Sequence, residues 1–430
     1  MNKKEIKFKE TEIGEIPEDW EVEELQKISK VIDSCHKTPK YSPEGIAMVR
    51  VTDIKYGDID LKDTLKVTKE VYEEFTLNHK PKKNDIVMSR VGTYGVTSFV
   101  NTAELCCLGQ NTVIIHPLIN SRFIYYALNS RLVRNQIEEE VVGSTQKTIS
   151  LKNIRELLIA HPNNSIELDK IIKILSSLDS KIELNQAMNK TLESIGQALF
   201  KHWFINFEFP NEKGKPYKSS GGEMVESELG EIPKGWKVGK LGECGTFKNG
   251  INYLRDEIGD TEFFIANVRD IANNKLLLKD SLDKIKIDLD KAKDYLLNDK
   301  DILIARSASP GEISLVLGNL DNVIYSGFSI RYRLNTPDNY LYLFLVLQRL
   351  RENLLNFSIG TTLQSVNQET LKNMGLILPS DDILNKFNKT IERILDKTYG
   401  NLMQIQNLSQ IRDSLLPKLM SGKLRVQINE

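Results

Sequence analysis

Residues 13–25, IGEIPEDWEVEEL, return 216 positions later as residues 229–241, LGEIPKGWKVGKL. Gly14, Glu15, Ile16, Pro17, Trp20, Val22 and Leu25 recur as Gly230, Glu231, Ile232, Pro233, Trp236, Val238 and Leu241. A repeat this long is not a short stacking module, so the chain is read as two copies of one globular design. The register continues. KNDIVMSR at 83–90 aligns with DKDILIAR at 299–306, each an Asp-Ile turn feeding a short apolar strand that ends in arginine. A loop containing Gly95 or Gly311 follows. GSTQKTISLKNIRELLIAHP at 143–162 aligns with GTTLQSVNQETLKNMGLILP at 360–379. Each closes on an apolar strand capped by proline.

A long helical pattern follows each copy. Between Ser165 and Trp203 there is no proline, and Ile171, Leu178, Leu192 and Leu199 recur in phase with Leu175 and Ile182. Two series seven apart and offset by three or four are a coiled-coil seam. Asn185 and Asn189 interrupt it. Between Asp382 and Met420 the seam is Phe387, Ile394, Leu408 and Leu415 with Ile391, Ile405 and Leu419. Thr398, Asn401 and Arg412 are its polar positions, and Pro417 is expected to kink or end the last turns. A helix with an exposed apolar stripe needs a partner. Pairing the two copies antiparallel is one solution, with the buried Asn fixing register; packing each helix on its own globular half is the other.

These signals give boundaries: a globular half at 1–163, a helix at 164–204, a linker rich in Pro, Gly and Ser at 205–228, a second half at 229–380, a second helix at 381–422 and a tail at 423–430. The fold class is α+β: two tandem mixed α/β domains separated by two long antiparallel coiled-coil helices, a pseudo-two-fold internal repeat.

The charge balance is even, with 58 Lys and Arg against 59 Asp and Glu. This argues against a simple electrostatic DNA binder, so nucleic-acid contact must rest on local patches or on partners. No apolar stretch is long enough to span a bilayer. The N-terminus has no apolar core behind its lysines, so a cytoplasmic protein is expected. The cysteines Cys35, Cys106, Cys107 and Cys244 form no CxxC pair and read as reduced thiols, Cys106 and Cys107 in a strand. Cys35–His36 lacks partners at ligand spacing, so no metal site is expected.

Catalytic motifs are missing too. There is no phosphate loop, no G-x-G-x-x-G, no nucleophile elbow, and no Pro-Pro dipeptide of the kind amino-methyltransferases use. Asp-x-Lys triplets such as Asp53-Ile-Lys55 are expected by chance at this charge content. A non-enzymatic recognition or scaffold protein without a cofactor is the reading.

The polar loops carry the positive case. Arg50-Val-Thr52-Asp-Ile has its counterpart in Asn267-Val-Arg269-Asp-Ile. Arg90 with Thr93 and Tyr94 faces Arg306 with Ser307 and Ser309. Gln110 and Asn111 lie in GQNTVI, opposite SGFSIR. Ser144, Thr145, Gln146 and Lys147 face Thr361, Thr362, Gln364 and Ser365. Such side chains on Gly-containing loops serve phosphate clamping and base-edge reading. The plainer alternative is that Asp53 and Asp270 cap turns and that Arg90 and Arg306 make ion pairs. Framework residues match better between copies than loop residues do, as expected if each half reads a different short sequence.

In these features the chain resembles the specificity (S) subunits of Type I restriction–modification systems. The likeness spans the paired GEIPxxW starts, the Asp-Ile strands with their arginine loops, the GSTQ and GTT segments, and the helix ends ALFKHWF (198–204) and RDSLLPKLMSG (412–422). It implies two target-recognition domains, each reading one half of a bipartite, asymmetric double-stranded DNA site. It implies that the helices set the spacing and dock two modification (methyltransferase) subunits. Restriction (motor and nuclease) subunits complete the complex; methylation, ATP hydrolysis and cleavage belong to these partners, and no membrane is involved. A coiled-coil adaptor that binds no DNA, and the reading part of a single-chain restriction–methylation enzyme, are the alternatives.

Overall fold

In the computed structural model, which describes residues 7–141, 147–253, 259–357 and 366–426, the repeated GEIP motif forms the same small structure twice. Strand Ile16–Pro17 pairs antiparallel with Phe8–Lys9, and Ile232–Pro233 with Met224–Val225. The turns between them need Gly14 and Gly230, at φ +99° and +92°, a region that a Cβ disfavours. Thr11 Oγ1 and Ser227 Oγ donate to the carbonyls of those glycines. Ile16, Trp20, Ile232 and Trp236 are all buried.

The chain divides into two compact units, Met1–Gln186 with Met403–Glu430, and Ala187–Leu402. In the first, the central sheet runs Ser29–Asp33, Thr112–Pro117, Ile86–Ser89, Thr97–Phe99, all antiparallel. Strand side chains alternate between faces, and both faces here are covered. Ile86, Met88, Val113 and Ile115 pack with the buried helix Ser121–Leu128. Val87 and Ile114 pack against a second sheet through Ala47, Val49, Cys106 and Leu108. Each such buried side chain contributes roughly 1.5–3 kcal/mol. In that second sheet Cys106–Leu108 runs parallel to Ile46–Val49.

The second unit repeats this logic. Its larger sheet runs Gly245–Asn249, Ser329–Leu334, Ile302–Ala305, Ile313–Val316, Leu276–Leu277. Ile302, Ile304, Ile330 and Tyr332 face one core, Leu303 and Ala305 the other. Strands Thr112–Pro117 and Ser329–Leu334 share one burial pattern, four buried residues, one half-buried, one buried.

The long helices run Ser165–Phe200 and Asp381–Met420, ~54 and ~60 Å at 1.5 Å per residue. They pair antiparallel inside each unit. In the first, Asn185 Nδ2 donates to Gln404 Oε1 at 3.1 Å and Arg412 Nη1 to Asp179 Oδ1 at 3.0 Å. In the second, Asn401 Nδ2 donates to Asn189 Oδ1 at 2.8 Å, and Phe200 meets Phe387 with ring centroids 6.4 Å apart. Of the seam positions, Ile171, Leu175, Ile182, Asn185, Phe387, Ile391 and Asn401 are buried. Leu178, Leu192, Leu199, Ile394, Ile405, Leu408 and Leu415 are half-buried.

The second helix runs through Pro417 and ends within a turn of it, at Met420. Leu416, Leu419 and Met420 are anchored in the core of the first unit, and the Pro417 carbonyl still accepts from Ser421 N–H. The segment after the first helix is also more than a tether. A π-helical turn, Lys201–Ile205, delivers buried Phe207 and Phe209 onto Trp236, with centroids 5.7 and 5.0 Å apart. In the first unit the C-terminal tail covers Trp20: Gly422 lies so close that a Cβ there would meet Pro17 at 2.3 Å and Trp20 at 3.3 Å. Arg425 then pairs with Asp19 and Glu167. Among the described residues, no helix is long and apolar enough to cross a membrane.

Candidate nucleic-acid interface

The candidate loops of the first unit are drawn together by backbone hydrogen bonds around Arg90. Its N–H donates to the Asn111 carbonyl at 2.8 Å, and its carbonyl accepts from Ile149 N–H at 3.0 Å. Gly109 N–H donates to Val49 O, which sets the Gln110–Asn111 turn beside Arg50; Gly95 N–H donates to Ser89 O and closes the loop that carries Thr93 and Tyr94. Gly92 N–H donates to Lys147 O. Arg50, Thr52, Arg90, Thr93, Tyr94, Gln110, Asn111 and Lys147 therefore lie at one end of the central sheet.

Four bonds of the same frame recur in the second unit. Arg306 N–H donates to Phe328 O at 2.8 Å, Val366 N–H to Arg306 O at 3.0 Å, Ser326 N–H to Ala266 O, and Gly311 N–H to Ala305 O. The turns after Val49 and Ala266 agree as well. Arg50 N–H donates to Asp53 Oδ2 and Asn267 N–H to Asp270 Oδ2, both at 2.9 Å. Asn267, Arg269, Arg306, Ser307 and Ser309 are gathered in this way. Ser144, Thr145, Gln146, Thr361, Thr362, Gln364 and Ser365 lie outside the described residues.

The side chains on the frame have unequal freedom. The Arg90 side chain is 15% exposed, and its guanidinium donates to Asp33 Oδ1 at 2.8 Å and to the Ile149 carbonyl. It is placed as a strut beneath the loop rather than at its tip. Arg50 lies along Asp53, with Nε to Oδ2 and Nη2 to Oδ1 both 3.0 Å. The Asp53 carboxylate therefore serves both the turn and the arginine. Arg269 is exposed but paired with Asp283. Tyr94 donates to Glu138 Oε2 at 2.8 Å, with the Lys147 ammonium 5.7 Å from its ring centroid. Gln110 Nε2 donates to the His36 carbonyl at 2.8 Å. Thr52, Thr93, Asn111, Lys147 and Arg306 are exposed.

One residue of this surface went unselected in the sequence. Phe328 is 66% exposed at the position Asn111 holds in the first unit. The mismatch of GQNTVI against SGFSIR was its signal, but an aromatic in an apolar strand context reads as core until its exposure is known. The adjoining thiols are inert by environment. Burial pushes Cys106 up to about 11 and Cys107 up to about 12, so neither is a nucleophile near neutral pH.

One frame built twice, with differing side chains at its edge, makes this a chain of two like modules. Residues 17–194 and 233–413 each match the model of the Type I restriction modification DNA specificity domain, and the chain belongs to that family. It is 28% identical over 441 aligned residues to the Type I restriction enzyme MjaIX specificity subunit of Methanocaldococcus jannaschii, across 98% of each chain. It is 24% identical to the Type I restriction enzyme HindI specificity subunit of Haemophilus influenzae, across 80% of this chain and 87% of that one. Among solved structures, the S subunit of a Type-I restriction-modification system from M. genitalium matches with a TM-score of 0.54 at 15% identity. That match covers 95% of this chain and 97% of the other and is a likeness of fold.

Proposed function

We propose that this chain is the non-catalytic subunit that gives a Type I restriction–modification complex its DNA sequence specificity. Each half reads one part of a bipartite, asymmetric duplex site, and the paired helices set the distance between the parts. The helices also offer two related docking surfaces to two methyltransferase subunits, while methylation, ATP hydrolysis and cleavage reside in the partners. The observation that carries this reading is the duplicated hydrogen-bond frame around Arg90 and Arg306 with unlike residues on it: Arg50 against Asn267, Asn111 against Phe328. A shared frame positions two readers alike, and unlike edges let them select different bases. The even charge is consistent with partners that share the phosphate contacts. The test is a gel-shift assay of the full chain, alone and with its modification partner, against duplexes carrying the site and random duplexes. Preferential retention of the site duplex by the complex is expected. Equal or absent binding in both preparations would sink the proposal.

A further inference from the structure

The two copies solve one electrostatic problem differently. Asp85 and Asp301 occupy the same place, at the turn before the strands Ile86–Ser89 and Ile302–Ala305. They are 0% and 2% exposed. Each accepts a backbone N–H at its Oδ2, from Lys82 at 2.9 Å and from Asn298 at 2.8 Å. A buried carboxylate left unpaired is costly. Asp301 is matched by a permanent cation: Arg333 donates Nε to Oδ1 at 2.8 Å and Nη2 to Oδ2 at 2.6 Å. In the first copy the position of Arg333 is taken by His116, whose Nδ1 lies 2.7 Å from Asp85 Oδ1. A second imidazole, His79, places Nε2 2.7 Å from Asp85 Oδ2. The ligand atoms of the three side chains all lie within 4.8 Å of one another.

We propose that His79, Asp85 and His116 form a zinc site that no sequence motif announces. Two imidazoles and a carboxylate suit a borderline divalent ion. Each ring would carry its proton on the nitrogen that faces away from Asp85, leaving His79 Nε2 and His116 Nδ1 as ligands. Lys82 N–H orients the carboxylate, as a supporting group does in metal sites. The His79 and His116 side chains are 15% and 28% exposed, so solvent reaches the remaining coordination positions. His79 also lines a cavity of about 180 Å³ beside Phe75, Leu77 and Asn78, which gives the ion a way in. The ion supplies the positive charge that Arg333 supplies in the second copy. It also ties residues 79–85 to the strand Thr112–Pro117, independently of how DNA is read.

The experiment uses the full chain, stripped with EDTA, desalted and titrated with Zn²⁺ alone against a chromophoric chelator, with bound metal counted by mass spectrometry. One zinc per chain is expected in the wild type. Affinity should fall at least ten-fold in His79→Gln and His116→Gln and stay unchanged in His161→Gln, which alters the other cluster of Glu21, Glu23 and His161. Co²⁺ should give visible ligand-field bands that His79→Gln removes. Absence of retained zinc in the wild type, equal retention in all variants, or loss only in His161→Gln would each overturn the proposal. Should either histidine variant fail to fold by circular dichroism, the wild-type stoichiometry and the Co²⁺ spectrum still decide.

Discussion

Arg90 and Arg306 hold equivalent positions and do different work. Arg90 is enclosed, and removing it takes a donor from Asp33 Oδ1 and from the Ile149 carbonyl, with Asp33 keeping only His36 at its Oδ2. Arg90→Ala should lower stability by about 1–3 kcal/mol, the cost of leaving such groups unmet, and thermal melting of the full chain reads this directly. Arg306 is exposed, so Arg306→Ala should stay within about 0.5 kcal/mol of wild type yet weaken DNA retention by the complex. Equal melting losses in the two variants would remove the distinction between strut and contact. Phe328 is a further case. With 66% of its surface in water it adds little to folding, and Phe328→Ala should weaken site binding about ten-fold, within the ~1–3 kcal/mol span of a base-level contact. Competition gel shifts would show it. At this scale the sequence was legible where the two copies could be compared. Arg50, Arg90 and their partners announced a polar edge, but whether an arginine is a strut or a tip depends on an acid 57 residues away, as Asp33 is from Arg90. His79 and His116 escaped for the same reason, being brought together through Asp85 from 37 residues apart.

At the scale of elements, heptad spacing gave the helices and their seam because that period survives any tertiary setting. Pro417 lies in the last turn, where the buried Leu416, Leu419 and Met420 hold the helix end. The Pro and Gly content of the linker after the first helix masked Phe207 and Phe209 packing on Trp236. The seam also contains a polar layer, in which Asn401 Nδ2 donates to Asn189 Oδ1 and Asn189 Nδ2 to the Thr398 carbonyl. Such layers favour one register at a cost in stability. Replacing Asn189 and Asn401 together by Leu should raise the melting temperature and loosen the choice of helix partner, giving higher oligomers in light scattering. A lower melting temperature with no change of oligomeric state would mean the layer acts as ordinary packing.

For the whole molecule, the proposed function assigns the repeated framework to two like partners and the unlike edges to an asymmetric DNA site, and it leaves spacing to the helices. Deleting one heptad from each long helix at facing positions preserves the seam and shortens each by ~10 Å. The spacer between half-sites should shrink by about three base pairs while both half-sites stay the same. Altered half-sites with an unchanged spacer would contradict that role. The most direct measurement is methylation sequencing of cells that express this chain with its modification partner. Two unequal half-sites separated by an unspecified spacer of fixed length are predicted. A single contiguous motif, or a palindromic one, would contradict the division of reading between the two halves.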